Sequence, residues 1–150
     1  RERWCMDFYG TGVTGPGHEI LGIIDADSKY IELIACSNRT TQTVVQAIKD
    51  RILHRHGTPR IIHSDHAKEF ISQAMKVLAT NEGYKSTTTL GHYARGNSII
   101  ESFWRYLGKC LRNMTDTEYA DVRNQLQSIA WGWNTSVSDT TSISPFEIMT

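Results

Sequence analysis

The chain has 150 residues, with Lys plus Arg and Asp plus Glu at 16 each and a formal charge of zero at neutral pH. That length suits one domain with one sizeable core, and the balanced charge announces no nucleic-acid partner, so any basic footprint must be local. No apolar stretch of about 18 residues occurs, which excludes a membrane-spanning helix. Three widely spaced cysteines, Cys5, Cys36 and Cys110, build neither a disulfide framework nor a Cys-rich zinc site.

The chain starts at Arg1 without Met or signal peptide and reads as a piece of something longer, from a reducing compartment. In chain order, Arg3 to Tyr9 reads as a strand, and residues 10–17 form a glycine-dense connection with no phosphate-cradle signature behind it. Glu19 to Ala26 and Tyr30 to Cys36 are β-rich runs around Asp27-Ser28-Lys29, a hairpin pattern. Asp25 and Asp27 are read there as turn residues. Thr40 to His56 carries apolar residues at helical spacing and stops at Gly57 and Pro59. Ile61 to Ser64 is a short buried strand, Ser72 to Glu82 a second helix closed by Gly83, and Tyr84 to Thr89 a last strand. After Asn97 the pattern is helical. Thr115-x-x-Glu118 is a capping box for a helix reaching Trp133, and Ser144-Pro145-Phe146-Glu147 is another with Pro at the first helical position. This order predicts an α/β fold, a five-stranded mixed sheet flanked by helices.

Three acids have settings that call for chemistry. Asp7 lies among apolar neighbours, Trp4-Cys5-Met6-Asp7-Phe8, where an unpaired carboxylate is costly and a bound cation removes the cost. Asp65 ends a buried strand, the place where sites gather in α/β sheets. Glu101 begins a helix whose Arg105, Gly108, Lys109 and Arg112 fall within about 80° of it at about 100° per residue. Ile99, Phe103, Tyr106, Leu107, Cys110, Leu111 and Met114 occupy the opposite, core-facing side. An acid in line with three cations fits metal beside a nucleic-acid backbone; it also fits a solvated face with a supporting Glu-x-x-x-Arg pair. His54-Arg55-His56 and His63-x-x-His66 lack the ligand spacing of zinc. Trp104, Trp131 and Trp133 are read as core or dimer-interface residues.

The flanking sequences resemble the integrase core of retroviruses and long-terminal-repeat retrotransposons, the DDE polynucleotidyl transferases. Trp4-x-x-Asp7 resembles that family's opening Trp-x-x-Asp, and Ser64-Asp65-His66-Ala67-Lys68-Glu69-Phe70 its Ser-Asp-x-Gly-x-Glu-Phe. Gly91-His92-Tyr93-Ala94-Arg95-Gly96-Asn97-Ser98-Ile99-Ile100-Glu101 resembles its Tyr-His-Pro-Gln-Gly-Asn-Gly-x-x-Glu, and the 35 residues between Asp65 and Glu101 are the family's spacing. Trp133-Asn134-Thr135-Ser136 and Ser144-Pro145-Phe146-Glu147 are similar to the end of retrotransposon cores. Ala67 stands where the family usually has Gly, Ala94-Arg95 replace Pro-Gln, and Ser98 replaces Gly. A positive φ at position 67 would strain an alanine.

The resemblance implies an RNase H-like fold and a single catalytic core domain over residues 1–150. It implies two Mg2+ or Mn2+ ions held by the catalytic set Asp7, Asp65 and Glu101, with Asp7 shared. Two hard cations about 3.5–4 Å apart serve in-line displacement at a phosphodiester, and carboxylates are their natural ligands. The implied reactions are trimming of DNA 3′ ends by water and joining of those ends to target DNA, without a covalent protein–DNA bond. The implied partners are double-stranded DNA, both element ends and target, and a homodimer or higher oligomer; the expected location is nuclear, cytoplasmic before integration. Arg95, Asn97, Arg105, Lys109, Arg112, His66 and Lys68 are candidate DNA contacts, each also readable as plain surface polarity. The rival readings are an RNase H-like nuclease without strand transfer and an integrase-derived DNA-binding module. A Ser or Tyr recombinase gives the acids no purpose.

Overall fold

Apolar alternation and β-branching build five strands. They are β1 (Arg3–Gly10), β2 (Glu19–Asp25), β3 (Ile31–Cys36), β4 (Ile61–Asp65) and β5 (Lys85–Thr89). The computed structural model describes residues 2–11, 19–65, 67, 69–89, 94–137 and 142–150, with the backbone alone at 89, 94–97 and 120. The glycine-dense connection therefore falls outside the described residues beyond Thr11. The strand order is β3-β2-β1-β4-β5, antiparallel at β1–β2 and β2–β3 and parallel at β1–β4 and β4–β5. This is the expected five-stranded mixed sheet, with helices on both faces.

Side chains alternate across β1, so Trp4, Met6 and Phe8 enter one apolar cluster while Cys5 and Tyr9 enter the other. The first cluster lies under the helical run of residues 41–56 and under α3 (Gln73–Glu82). The second lies under α4 (Ala94–Arg112) and α6 (Val122–Thr135). The run of residues 41–56 differs from the uniform helix expected of it. It consists of α1 (Thr41–Ala47), a π-helical stretch Ile48–Leu53, and α2 (His54–His56). The stretch buries Ile48 and Ile52. Arg51 in the stretch, and Arg55 and His56 in α2, meet the buried carboxylate of Glu32 on β3 at 3.3, 3.1 and 3.0 Å.

The expected helix from Thr115 to Trp133 is also two elements, α5 (Asp116–Ala120) and α6. The capping box at Thr115 and Glu118 forms as expected. Asp121 then leaves the helical region (φ −113°, ψ 42°). Its carbonyl and carboxylate accept from the backbone and side-chain amides of Asn124 at 3.1 and 2.6 Å. An Asp that binds a nearby residue in this way competes with helix continuation. At α7 (Pro145–Met149) the Ser144 hydroxyl accepts from the Glu147 N–H, one half of the expected capping box. The Glu147 carboxylate accepts from the Ser144 hydroxyl at 3.2 Å.

The hairpin turn confirms the reading of Asp25. Its carboxylate is buried and accepts from the Ser28 backbone N–H at 2.8 Å and hydroxyl at 2.6 Å. Lys29 takes a left-handed conformation (φ 67°), and its carbonyl accepts from the Trp133 indole at 2.7 Å. Gly83 closes α3 in the left-handed region (φ 84°) that glycine adopts most easily.

Candidate active site

Strand pairing alone sets the first two acids side by side. β1 and β4 run parallel with Trp4 opposite Ile62, Cys5 opposite His63 and Met6 opposite Ser64. One further step of the same ladder puts Asp7 beside Asp65. Asp7 lies between Cys5 and Tyr9 on the face toward α4, and Asp65 lies on that face because Ile62 points to the other. The loop after β4 is held by its own bonds. The Ala67 N–H donates to Asp65 Oδ1 at 3.0 Å, and the Phe70 N–H donates to the Ala67 carbonyl at 2.9 Å. Phe70, buried, stacks on Phe8 at 5.6 Å, which ties the loop to the strand that carries Asp7. Ala67 is not among the described non-glycine residues with positive φ, Lys29 and Ser142, so its departure from glycine carries no strain.

Glu101 is carried by α4, whose Ile100, Phe103, Leu107 and Leu111 pack on the sheet. The opposite face of α4 forms an open groove with β1, lined by Tyr9, Glu101, Trp104, Arg105, Gly108, Lys109 and Arg112. These are the residues that helical spacing placed beside Glu101, joined by two aromatics. Gly108 lies under the groove, where an added Cβ would meet Arg112 Nη1 at 3.3 Å and the Tyr9 hydroxyl at 3.5 Å.

The electrostatics mark the aspartate pair. Burial raises the Asp7 carboxyl above the ordinary carboxylate range, and the neighbouring charge of Asp65 adds to the rise. The Trp104 indole N–H, the Phe8 backbone N–H and Arg39 oppose it. Two carboxylates sharing one face, one of them poorly hydrated, suit a hard divalent cation with oxygen ligands. Glu101 itself is exposed. Among the described residues no three His, Cys, Asp or Glu side chains gather closely enough to hold an ion. The fold thus brings two of the three predicted acids together and sets the third on the adjoining helix.

His63, two residues before Asp65, is not a free ligand: its Nδ1 bonds the Thr87 hydroxyl on β5 at 2.7 Å, and burial lowers its pKa. Of the candidate DNA contacts, Arg105, Lys109 and Arg112 share the groove with Glu101. His66 and Lys68, and the side chains of Arg95 and Asn97, lie outside the described residues. Trp133 packs on Phe103 and Tyr106, as expected of a core residue, whereas Trp131 is largely exposed against Phe146. The reading of Trp104 as core missed its polar end, which donates to Asp7 Oδ2 at 3.2 Å. Two signals pointed that way: Trp104 lies one helical turn after Glu101, and a glycine interrupts the apolar strand β2.

Known proteins resemble the chain in sequence and in fold. The sequence profile described as integrase core domain matches residues 1–90. The chain is 23% identical over 122 residues to the retrovirus-related Pol polyprotein from transposon 412 of Drosophila melanogaster, covering 81% of this chain and 10% of that protein. It is 34% identical over 112 residues to the Gag-Pol polyprotein of koala retrovirus, covering 74% of this chain and 7% of that protein. The chain therefore spans about a tenth of the length of such relatives. Among solved structures, the catalytic core domain of BIV integrase superposes with a TM-score of 0.81 at 20% identity, over 99% of this chain and 93% of that one. The HTLV-2 integrase catalytic core domain in complex with magnesium, in a trimeric form, superposes with a TM-score of 0.76 at 16% identity, over 99% and 96%.

Proposed function

The chain belongs to the integrase core domain family, and from that premise we propose that it is a metal-dependent polynucleotidyl transferase that trims DNA 3′ ends and joins them to target DNA. The observation that carries this reading is the meeting of Asp7 and Asp65 on one sheet face, next to the helix that bears Glu101 and its basic groove. The three carboxylates would hold Mg2+ or Mn2+. Two such ions, when bound, activate the attacking oxygen and stabilise the leaving one.

The chain's own residues do the remaining work. Asp7 and Asp65 come together through the sheet, so binding has chiefly to order Glu101. Arg105, Lys109 and Arg112 line the groove beside Glu101 and hold the phosphates of DNA that runs along α4. The burial that raises Asp7 keeps its carboxyl short of water, which favours a cation over a hydration shell. The magnesium in the HTLV-2 core and the intasome of simian T-cell lymphotropic virus, a solved structure of the same fold, are in keeping with the proposed ion and with a larger assembly. Nuclear action on DNA, after a cytoplasmic phase, belongs to the same proposal.

The test is an end-labelled duplex with Mg2+ or Mn2+, read for shortened 3′ ends and for joined products. Glu101→Gln should keep the fold, shown by circular dichroism, and lose both products. Nicking that survives this change would reject Glu101 as part of the site. Trimming without joining would reduce the activity to that of a nuclease. DNA binding without divalent-cation binding would leave only a binding module.

A further inference from the structure

Asp7 is bonded from the overlying helix α4 by a residue that the family motifs do not include. The Trp104 indole N–H donates to Asp7 Oδ2 at 3.2 Å. Its ring reaches that far because Gly22 leaves room. In the β1–β2 ladder Gly22 is the partner of Asp7, on the face under α4 between Ile20 and Ile24. A Cβ built on Gly22 would stand 2.5 Å from Trp104 Cη2, closer than real carbon atoms come. The ring is braced elsewhere by Tyr9 at 5.2 Å and by Phe103 at 5.5 Å. A glycine in the middle of a strand is otherwise a loss, since it packs nothing and costs backbone entropy.

We propose that Trp104 is a positioning residue for Asp7, seated in a slot that Gly22 provides, so that the carboxylate is held in one rotamer for the divalent cation. The inference rests on the reading of Asp7 as a metal ligand. A donor that fixes a ligand's orientation lowers the ordering cost of ion binding, and such donors are worth about 10–100-fold in metal affinity. Gly22 touches neither ion nor DNA in this scheme and acts only through the indole.

The experiment uses this chain, Mn2+ and Mg2+. Calorimetric Mn2+ binding should weaken about tenfold or more in Trp104→Phe, which keeps a ring and loses the N–H. Gly22→Ala, which displaces the indole, should weaken it similarly. The double variant should bind no worse than Trp104→Phe alone, because a Phe ring is too short to meet the new methyl. In the wild-type chain labelled with 15N, the Trp104 indole N–H resonance, one of four from tryptophan, should shift on Mg2+ addition. Asp7→Asn should abolish that shift. If the wild type binds Mn2+ and Trp104→Phe binds it equally well, the proposal is overturned. So it is if the penalties of the two single variants multiply. A variant that fails to fold leaves the wild-type resonance to decide, and an unmoved indole signal in the ion-bound chain rejects the proposal. A wild type that binds no Mn2+ overturns the metal-site reading itself and this inference with it.

Discussion

At the scale of single residues, Asp7 is placed where the metal-free protein is least comfortable with it. Its carboxyl pKa is raised by burial first, with Asp65 adding to the rise. A carboxyl whose folded pKa lies above its unfolded value favours the folded state fully when both states are protonated. That support is lost as pH rises through the folded pKa. Asp7 is therefore a liability at neutral pH and none at a pH below the ordinary carboxylate range. Asp7→Asn should raise the melting temperature of the metal-free chain by a few degrees at pH 7, with the gain shrinking as pH falls toward about 4. Thermal unfolding by circular dichroism across that range checks it. A gain that persists unchanged in acid would mean that ionisation of Asp7 is not the cause. In the same variant Mg2+ should no longer raise the melting temperature, since ligand binding to the native state alone is what stabilises it.

At the scale of elements, contacts between helix and strand settle what local pattern leaves open. β3 is an edge strand, and α6 supplies what a missing neighbour strand would. Asn134 Oδ1 accepts from the Ile31 N–H at 2.8 Å and its Nδ2 donates to the Ile31 carbonyl at 3.0 Å, both deep in the core. The side chain thus pairs with the strand as another backbone would, and it closes the edge there. Asn134→Ala should cost about 2–4 kcal/mol in urea unfolding, because two buried backbone groups lose their partners together. A cost below about 1 kcal/mol would show that water replaces them. The helical angle of α4 was legible in the sequence, and the groove lined by Glu101, Arg105, Lys109 and Arg112 agrees with it. Arg105→Ala and Arg112→Ala should each weaken DNA binding and lower the salt slope by about one. Binding measured by anisotropy from low to moderate salt tests this; an unchanged slope would take the stripe off the DNA.

At the scale of the whole molecule, the two apolar clusters are the two faces of one sheet, so neither can form without the strands of the other. Trp4 reports from one face and Trp133 from the other. Unfolding followed by tryptophan fluorescence and by far-ultraviolet circular dichroism should therefore give one coincident transition in urea; two separated midpoints would show that the faces melt apart. Strand boundaries, the Thr115 cap, the Asp25 turn and the core side of α4 were readable in the sequence, because each depends on neighbours within one or two turns of the chain. The three acids were singled out by apolar surroundings, strand ends and flanking motifs, which are also local. The break at Asp121 and the π stretch were not readable. At each the backbone departs from the helix that its residue types favour, and the run that holds the π stretch meets Glu32, a partner distant in sequence. Sequence by itself determined which residues are apolar, acidic or cationic, and on which face of its own element each lies. Only the tertiary structure decided that Asp7 meets Asp65, that Glu101 stays exposed on its helix, and that Gly22 makes room for Trp104. Those facts depend on sheet register and on helix-to-sheet distance, quantities set by packing across the whole core.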